Sequence, residues 1–83
     1  MTRPLRVLVF KDDGIFVAQA LELDISAEGE TEAEAAMRLN AAIAAEAAEA
    51  KARGRTLDDI GPAPDRFHAM YEFDVVSRTE IAA

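Results

Sequence analysis

The fold is decided by one stretch near the start of the chain, Leu5-Arg6-Val7-Leu8-Val9-Phe10-Lys11-Asp12-Asp13-Gly14-Ile15-Phe16-Val17-Ala18-Gln19-Ala20-Leu21. Two runs rich in β-branched and aromatic residues flank Asp12-Asp13-Gly14. Asp-Gly supplies the positive φ values that a tight turn between antiparallel strands needs, so the stretch predicts a β-hairpin. A two-residue Asp13-Gly14 loop sets Val7, Val9, Phe16, Ala18 and Ala20 on one face and Leu8, Phe10, Ile15 and Val17 on the other. A three-residue loop shuffles these sets but leaves both faces mainly apolar. A hairpin with one wet face alternates more cleanly. The second face is therefore expected to be covered, by the C-terminal segment or by another subunit.

Downstream, Leu21-Glu22-Leu23-Asp24 reads as a polar bend, and residues 25–28 as a short edge strand ending at Gly29. Thr31-Glu32-Ala33-Glu34 has the spacing of a capping box, with a hydroxyl for an orphan amide and a carboxylate reaching back. An alanine-rich helix without Pro or Gly follows to about Arg53, with Gly54 placed for a left-handed stop. Ala35, Ala36, Leu39, Ala42, Ile43 and Ala47 form its expected buried stripe. Glu30, Glu32 and Glu34 sit at its positive end and Lys51, Arg53 and Arg55 at its negative end. Glu34 and Arg38, and Glu49 and Arg53, are spaced four apart in the favourable order. Met37 and Met70 read as packing residues.

Residues 56–60 suggest one helical turn, and Pro62-Ala63-Pro64 an extended connection. Residues 68–76 alternate, with Tyr71, Phe73 and Val75 opposite Met70, Glu72 and Asp74, and so predict a returning strand. Residues 77–83 read as a flexible tail. The expected fold is α+β: a three-stranded antiparallel meander, one long helix packed on the sheet, and a last strand returning beside the first. One domain over residues 1–83 is expected, with its core at about 5–76.

Composition narrows the function. With 51% hydrophobic residues the chain is not disordered in type, but much of that share is alanine, so the core is thin and self-association would help it. There is no cysteine, which excludes disulfides, thiolate metal sites and cysteine nucleophiles. Met1-Thr2-Arg3-Pro4-Leu5 lacks the pattern of a signal peptide, and no apolar run reaches membrane-spanning length. The expected compartment is the cytoplasm, without membrane attachment.

The net charge is −7, and one segment carries it. Glu22, Asp24, Glu28, Glu30, Glu32, Glu34, Glu46 and Glu49 stand against a single base, Arg38, whereas acids and bases balance elsewhere. Such a face repels phosphate and argues against direct nucleic-acid binding. It attracts a basic protein and speeds its encounter. The competing explanation is that acids are ordinary at solvated helix starts, and the helix charges above account for part of the imbalance.

The order strand, turn, strand, short strand, long helix, strand resembles the HicB-like family, whose fold is partially RNase H-like. Lys11-Asp12-Asp13-Gly14-Ile15-Phe16-Val17-Ala18 is similar to that family's hairpin. Ser26-Ala27-Glu28-Gly29-Glu30-Thr31-Glu32-Ala33-Glu34-Ala35 is similar to its helix start. Leu21-Glu22-Leu23-Asp24-Ile25, with Pro62-Ala63-Pro64 and Phe67, resembles a short stand-alone branch. The resemblance implies an antitoxin that binds and blocks a small basic RNA-cleaving toxin of the HicA type. Typical members have Leu-Pro-Gly-Cys where Leu23-Asp24-Ile25-Ser26 stands here, and many carry a further DNA-binding domain. About thirty residues follow the helix, too few for a strand and a second domain, so the autorepressor role is not expected.

Catalysis finds little footing. A metal-dependent nuclease needs converging carboxylates. Asp12 and Asp13 are explained as turn formers, and Glu72 and Asp74 as solvated acids on a strand. His68 is the only histidine, without a triad or metal partner. No cofactor is expected. The expected function is a non-enzymatic binding module of antitoxin type, meeting its partner through Glu22, Asp24, Glu28, Glu30 and Glu32. The alternative is an orphan regulatory or ligand-binding domain of the same family, forming a dimer or larger homo-oligomer through Leu8, Phe10, Ile15, Val17, Tyr71 and Phe73. A nuclease is a remote third.

Overall fold

The computed structural model describes residues 3–83. Strand β1 spans Pro4–Asp12 and β2 spans Ile15–Ala20, joined by a two-residue turn. Asp13 and Gly14 have φ of 50° and 82°, the double positive φ that a tight hairpin turn demands. Asp12 therefore faces Ile15, Val9 faces Ala18 and Val7 faces Ala20. Strand β3 covers Ser26–Gly29 and pairs antiparallel with β2, Ala18 facing Ala27.

Helix α1 runs over Glu32–Ala52. The Thr31 hydroxyl accepts from the Glu34 amide at 3.0 Å, and the Glu34 carboxylate reaches back to the Glu30 amide at 3.1 Å, one residue before the cap. At the other end the amides of Gly54 and Arg55 donate to the carbonyls of Lys51 and Ala50, closing the helix with its left-handed glycine. Of the expected stripe, Ala35, Leu39 and Ile43 are buried, while Ala36, Ala42 and Ala47 are half-buried. The helix start lies tight on the sheet at Gly29, where a Cβ would stand 2.5 Å from the Ala35 nitrogen, so only glycine fits. The first core lies here: Leu5, Val7, Val9, Ala18 and Ala20 meet Leu23, Ile25, Ala35, Leu39 and Ile43. Leu21 and Leu23 are both fully or almost fully buried, so the bend expected to be polar is half core.

The C-terminal region departs from the alternation seen in the sequence. A 3-10 turn at Leu57–Ile60 is followed by helix α2 over Asp65–Phe73, where a strand at 68–76 was expected. Residues 77–83, expected as a flexible tail, supply the last strand, β4, over Ser77–Ala82. Phe67, Met70 and Tyr71 follow helical spacing and are half-buried, whereas Phe73 is 83% exposed and Val75 fully so. The period of 3.6 thus prevails over the weaker period of 2 in the same residues.

One four-stranded sheet results, in the order β3-β2-β1-β4, all neighbours antiparallel. The fold is α+β, and the last strand does lie beside the first, with Leu5 facing Ile81 and Val7 facing Thr79. Helix α2 supplies the crossing that makes this possible. Gly61 and Ala63 are hydrogen-bonded to the bend at Asp24 and Leu21, while β4 begins opposite Val9. The chain climbs between these levels across the face opposite α1, since Phe67 stacks on Phe10 with ring centroids 6.1 Å apart. Leu8 and Leu21, both fully buried, belong to this second, smaller core. The doubly apolar hairpin is thus covered on its second face by the chain's own C-terminal segment.

Candidate functional site

The acids of residues 22–34 fall into two groups once the sheet is built. Glu22 is consumed internally. Leu21 donates to the Arg6 carbonyl, but the Leu21 carbonyl accepts from Ala63, which leaves the Arg6 amide without its ladder partner. The Glu22 carboxylate takes that amide at 2.6 Å and the Arg6 Nε at 2.7 Å. Burial alone would raise the Glu22 carboxyl, but the hydrogen bonds from the Arg6 side chain and backbone, with the guanidinium charge, outweigh it and hold the carboxyl below its ordinary value. The hydrogen bond to Glu22 likewise raises Arg6. Glu34 is also committed, bridging to Arg38 at 3.2 Å.

Asp24, Glu28, Glu30 and Glu32 form the second group. All four are exposed, and none has an ionic partner among the described residues. Among the described residues the Asp24 side chain accepts only from the buried Gln19 amide at 3.2 Å, and the Glu32 side chain only from the Ser77 hydroxyl at 2.9 Å. In sequence they form a row over β3 and the entry to α1: Asp24, Glu28 and Glu30 lie on and beside β3, whereas Glu32 opens α1 and its carboxylate lies at Ser77, the first residue of β4. The edge beside them is partly closed, because Arg38 Nη1 donates to the outward Glu28 carbonyl at 3.2 Å. The row is an exposed set of negative charges on a rigid strand and helix start, able to steer a cationic surface and to accept its hydrogen bonds.

The residues expected for self-association are placed differently. Leu8 is fully buried under α2, Phe10 packs on Phe67, and Val17 is half-buried. Tyr71 lies on α2, not on a strand, its ring centroid 5.5 Å from the guanidinium carbons of both Arg6 and Arg78. Ile15 is 38% exposed at the hairpin tip, and Phe73 stands in solvent at the end of α2. Leu8, Phe10, Ile15 and Val17 share the hairpin face that α2 covers, so the six side chains do not form one exposed face. Met37, expected to pack, is 67% exposed on α1.

The carboxylates weighed for metal chemistry are also dispersed. Asp12 and Asp13 mark the hairpin tip, Glu72 lies on α2 and Asp74 caps it. Among the described residues no three acidic, histidine or cysteine side chains converge as a metal site. The ring Nε2 of His68 bonds the Ala63 carbonyl at 3.2 Å, a structural contact that fixes α2 to the preceding loop. A groove of about 360 Å³ lies between the end of α1 and the 3-10 turn, lined by Glu46, Glu49, Arg53, Arg55 and Asp59. Its charges are of both signs and Arg53 is paired to Glu49 at 2.9 Å. No described helix is long and apolar enough to cross a membrane.

No protein-family model, no curated protein and no solved structure gives a significant match to this chain.

Proposed function

We propose that the chain is a non-enzymatic protein-binding module that docks a basic protein surface on the row Asp24, Glu28, Glu30 and Glu32. One observation carries this reading: these four carboxylates are exposed and unpaired among the described residues, while Glu22 and Glu34 beside them are tied to arginines. Charges kept in water and out of internal pairs contribute little to folding but raise the encounter rate with an oppositely charged partner. The sequence resemblance to HicB-like antitoxins supplies the partner's class, a small basic RNA-cleaving toxin, and the N-terminal sequence, which lacks a signal-peptide pattern, supports the cytoplasm as the place of action. The module would inhibit by covering the toxin's cationic, RNA-facing surface.

The proposal requires a short gene for a basic protein beside this one, and the test is co-expression with that gene's product, followed by association kinetics across a salt series. A complex that rescues growth and loosens with salt is expected. Replacing the four acids together (Asp24→Asn, Glu28→Gln, Glu30→Gln, Glu32→Gln) is expected to slow association by roughly tenfold or more, with a smaller effect on dissociation. No binding at low salt, or an association rate indifferent to the four substitutions, would sink the proposal.

A further inference from the structure

The strand least provided with partners is β4. Arg3 and Ala83 exchange both of their backbone hydrogen bonds, at 2.6 and 2.9 Å. Antiparallel alternation then turns the amides and carbonyls of Ser77, Thr79 and Ile81 toward β1, and those of Arg78, Glu80 and Ala82 outward. None of these outward groups has a hydrogen-bond partner among the described residues. At the other margin of the sheet β3 is shorter, and its outward Glu28 carbonyl is already taken by Arg38.

We propose that β4 is a self-recognition edge, pairing antiparallel with β4 of a second copy about a twofold axis at Thr79 to give one continuous eight-stranded sheet. Charge selects both the occupant and the register. An exposed edge carrying charges of one sign resists pairing. This edge carries one of each sign, Arg78 and Glu80, two residues apart on the same face. Centring the pair on Arg78 or on Glu80 sets like charges opposite one another. Centring it on Ile81 shortens the ladder. Centring it on Thr79 sets Arg78 of each copy opposite Glu80 of the other, twice, with Thr79 facing Thr79.

Arg78 is already held in place for this. Its Nε donates to the Tyr71 carbonyl at 2.5 Å, Nη1 to Val76 at 3.2 Å and Nη2 to Asp74 at 2.9 Å. A guanidinium has five donors, so two remain for a carboxylate that arrives from outside. In the same register, the segment that enters β4 runs beside the end of the second copy's strand. Phe73 and Val75, the two most exposed large apolar side chains described, stand in that segment. The surface meets the acidic row only where Glu32 accepts from the Ser77 hydroxyl, and the Thr79 and Glu80 variants below leave that contact alone, so either proposal can fail without the other.

The chain has no cysteine, which makes cross-linking a clean test of register. Opposed residues of a non-hydrogen-bonded antiparallel pair have Cα atoms about 4.5 Å apart, within the span of a disulfide. Under mild oxidation Thr79→Cys is expected to form covalent dimers, while Glu80→Cys, whose copies would stand diagonally and too far apart, is expected to form few. Both positions are exposed, and circular dichroism confirms that each variant folds. Sedimentation velocity over roughly a hundredfold range of concentration is expected to show a reversible dimer of the wild-type chain. Glu80→Arg, which sets arginine against arginine, is expected to weaken that dimer by about tenfold or more. A wild-type chain that stays monomeric overturns the proposal. So does a dimer indifferent to Glu80→Arg, or a Glu80→Cys variant that cross-links more readily than Thr79→Cys.

Discussion

The Glu22 carboxylate takes the Arg6 amide because the carbonyl that sheet pairing would assign to it, that of Leu21, already accepts from Ala63. Replacing Glu22 by Ala would strand that amide, at about 1–3 kcal/mol for a group shielded from water. The milder Glu22→Gln keeps the shape and removes the charge, and its effect depends on pH. The carboxyl is held below its ordinary value of 4.5 in the folded chain, so its stabilisation is complete above that value and drains as pH falls through the lowered folded value. Urea midpoints measured from neutral pH to about pH 3 should therefore fall more for the wild type than for Glu22→Gln, the two curves converging in acid. Parallel curves would show that the pair does not stabilise the fold. This residue also marks how far the site was legible in the sequence. The acids could be named, and the Glu34–Arg38 pair could be read from helical spacing. The Arg6–Glu22 pair joins residues 16 apart and exists only through the hairpin register and the Ala63 contact. No local pattern separates Glu22 from Asp24.

At the scale of elements, the hairpin, the edge strand and α1 follow from turn chemistry and capping that act within a few residues. The C-terminal third does not. Tyr71, Phe73 and Val75 alternate as a strand would, while Phe67, Met70 and Tyr71 keep helical spacing. What decides between them is distant in sequence. The apolar face of Leu8 and Phe10 needs a cover, and the outward groups of β1 need a partner strand. One short segment cannot be both. Phe67 on Phe10 and the guanidinium of Arg78 on the last carbonyls of α2 fix the helical choice, and residues 77–82 are left to pair. Phe67→Ala should test this. A half-buried phenylalanine in a two-ring contact is expected to cost about 2 kcal/mol, less than in a closed core. Amide exchange should quicken in α2 and β4 well before β1 and β2, because the first core under α1 is untouched. An unchanged urea midpoint, or exchange that rises uniformly, would contradict this division into two cores.

For the molecule as a whole, a net charge of −7 carried by the segment from Glu22 to Glu49 acts on two equilibria with opposite sign. In the free chain the acids of the row repel one another, and added salt screens that repulsion. Salt also weakens the attraction of Glu32 to the start of α1, but that interaction acts within a few ångströms. Repulsion between charges farther apart than the screening length of about 8 Å at physiological ionic strength is lost first. The melting temperature of the isolated chain should therefore rise by about 2–4 °C from very low salt to about 0.15 M, the size expected for roughly half a kcal/mol in a domain this small. The variant with Asp24, Glu28, Glu30 and Glu32 neutralised should start higher and show little of that slope. A basic partner reverses the sign, since the charges that repel in the free chain attract in the complex. The same salt that stabilises the wild-type chain should dissociate its complex, and the neutral variant should lose both responses together. A melting temperature that falls with salt in the wild type would mean that local pairing governs the row, leaving no surplus of charge for a partner to meet.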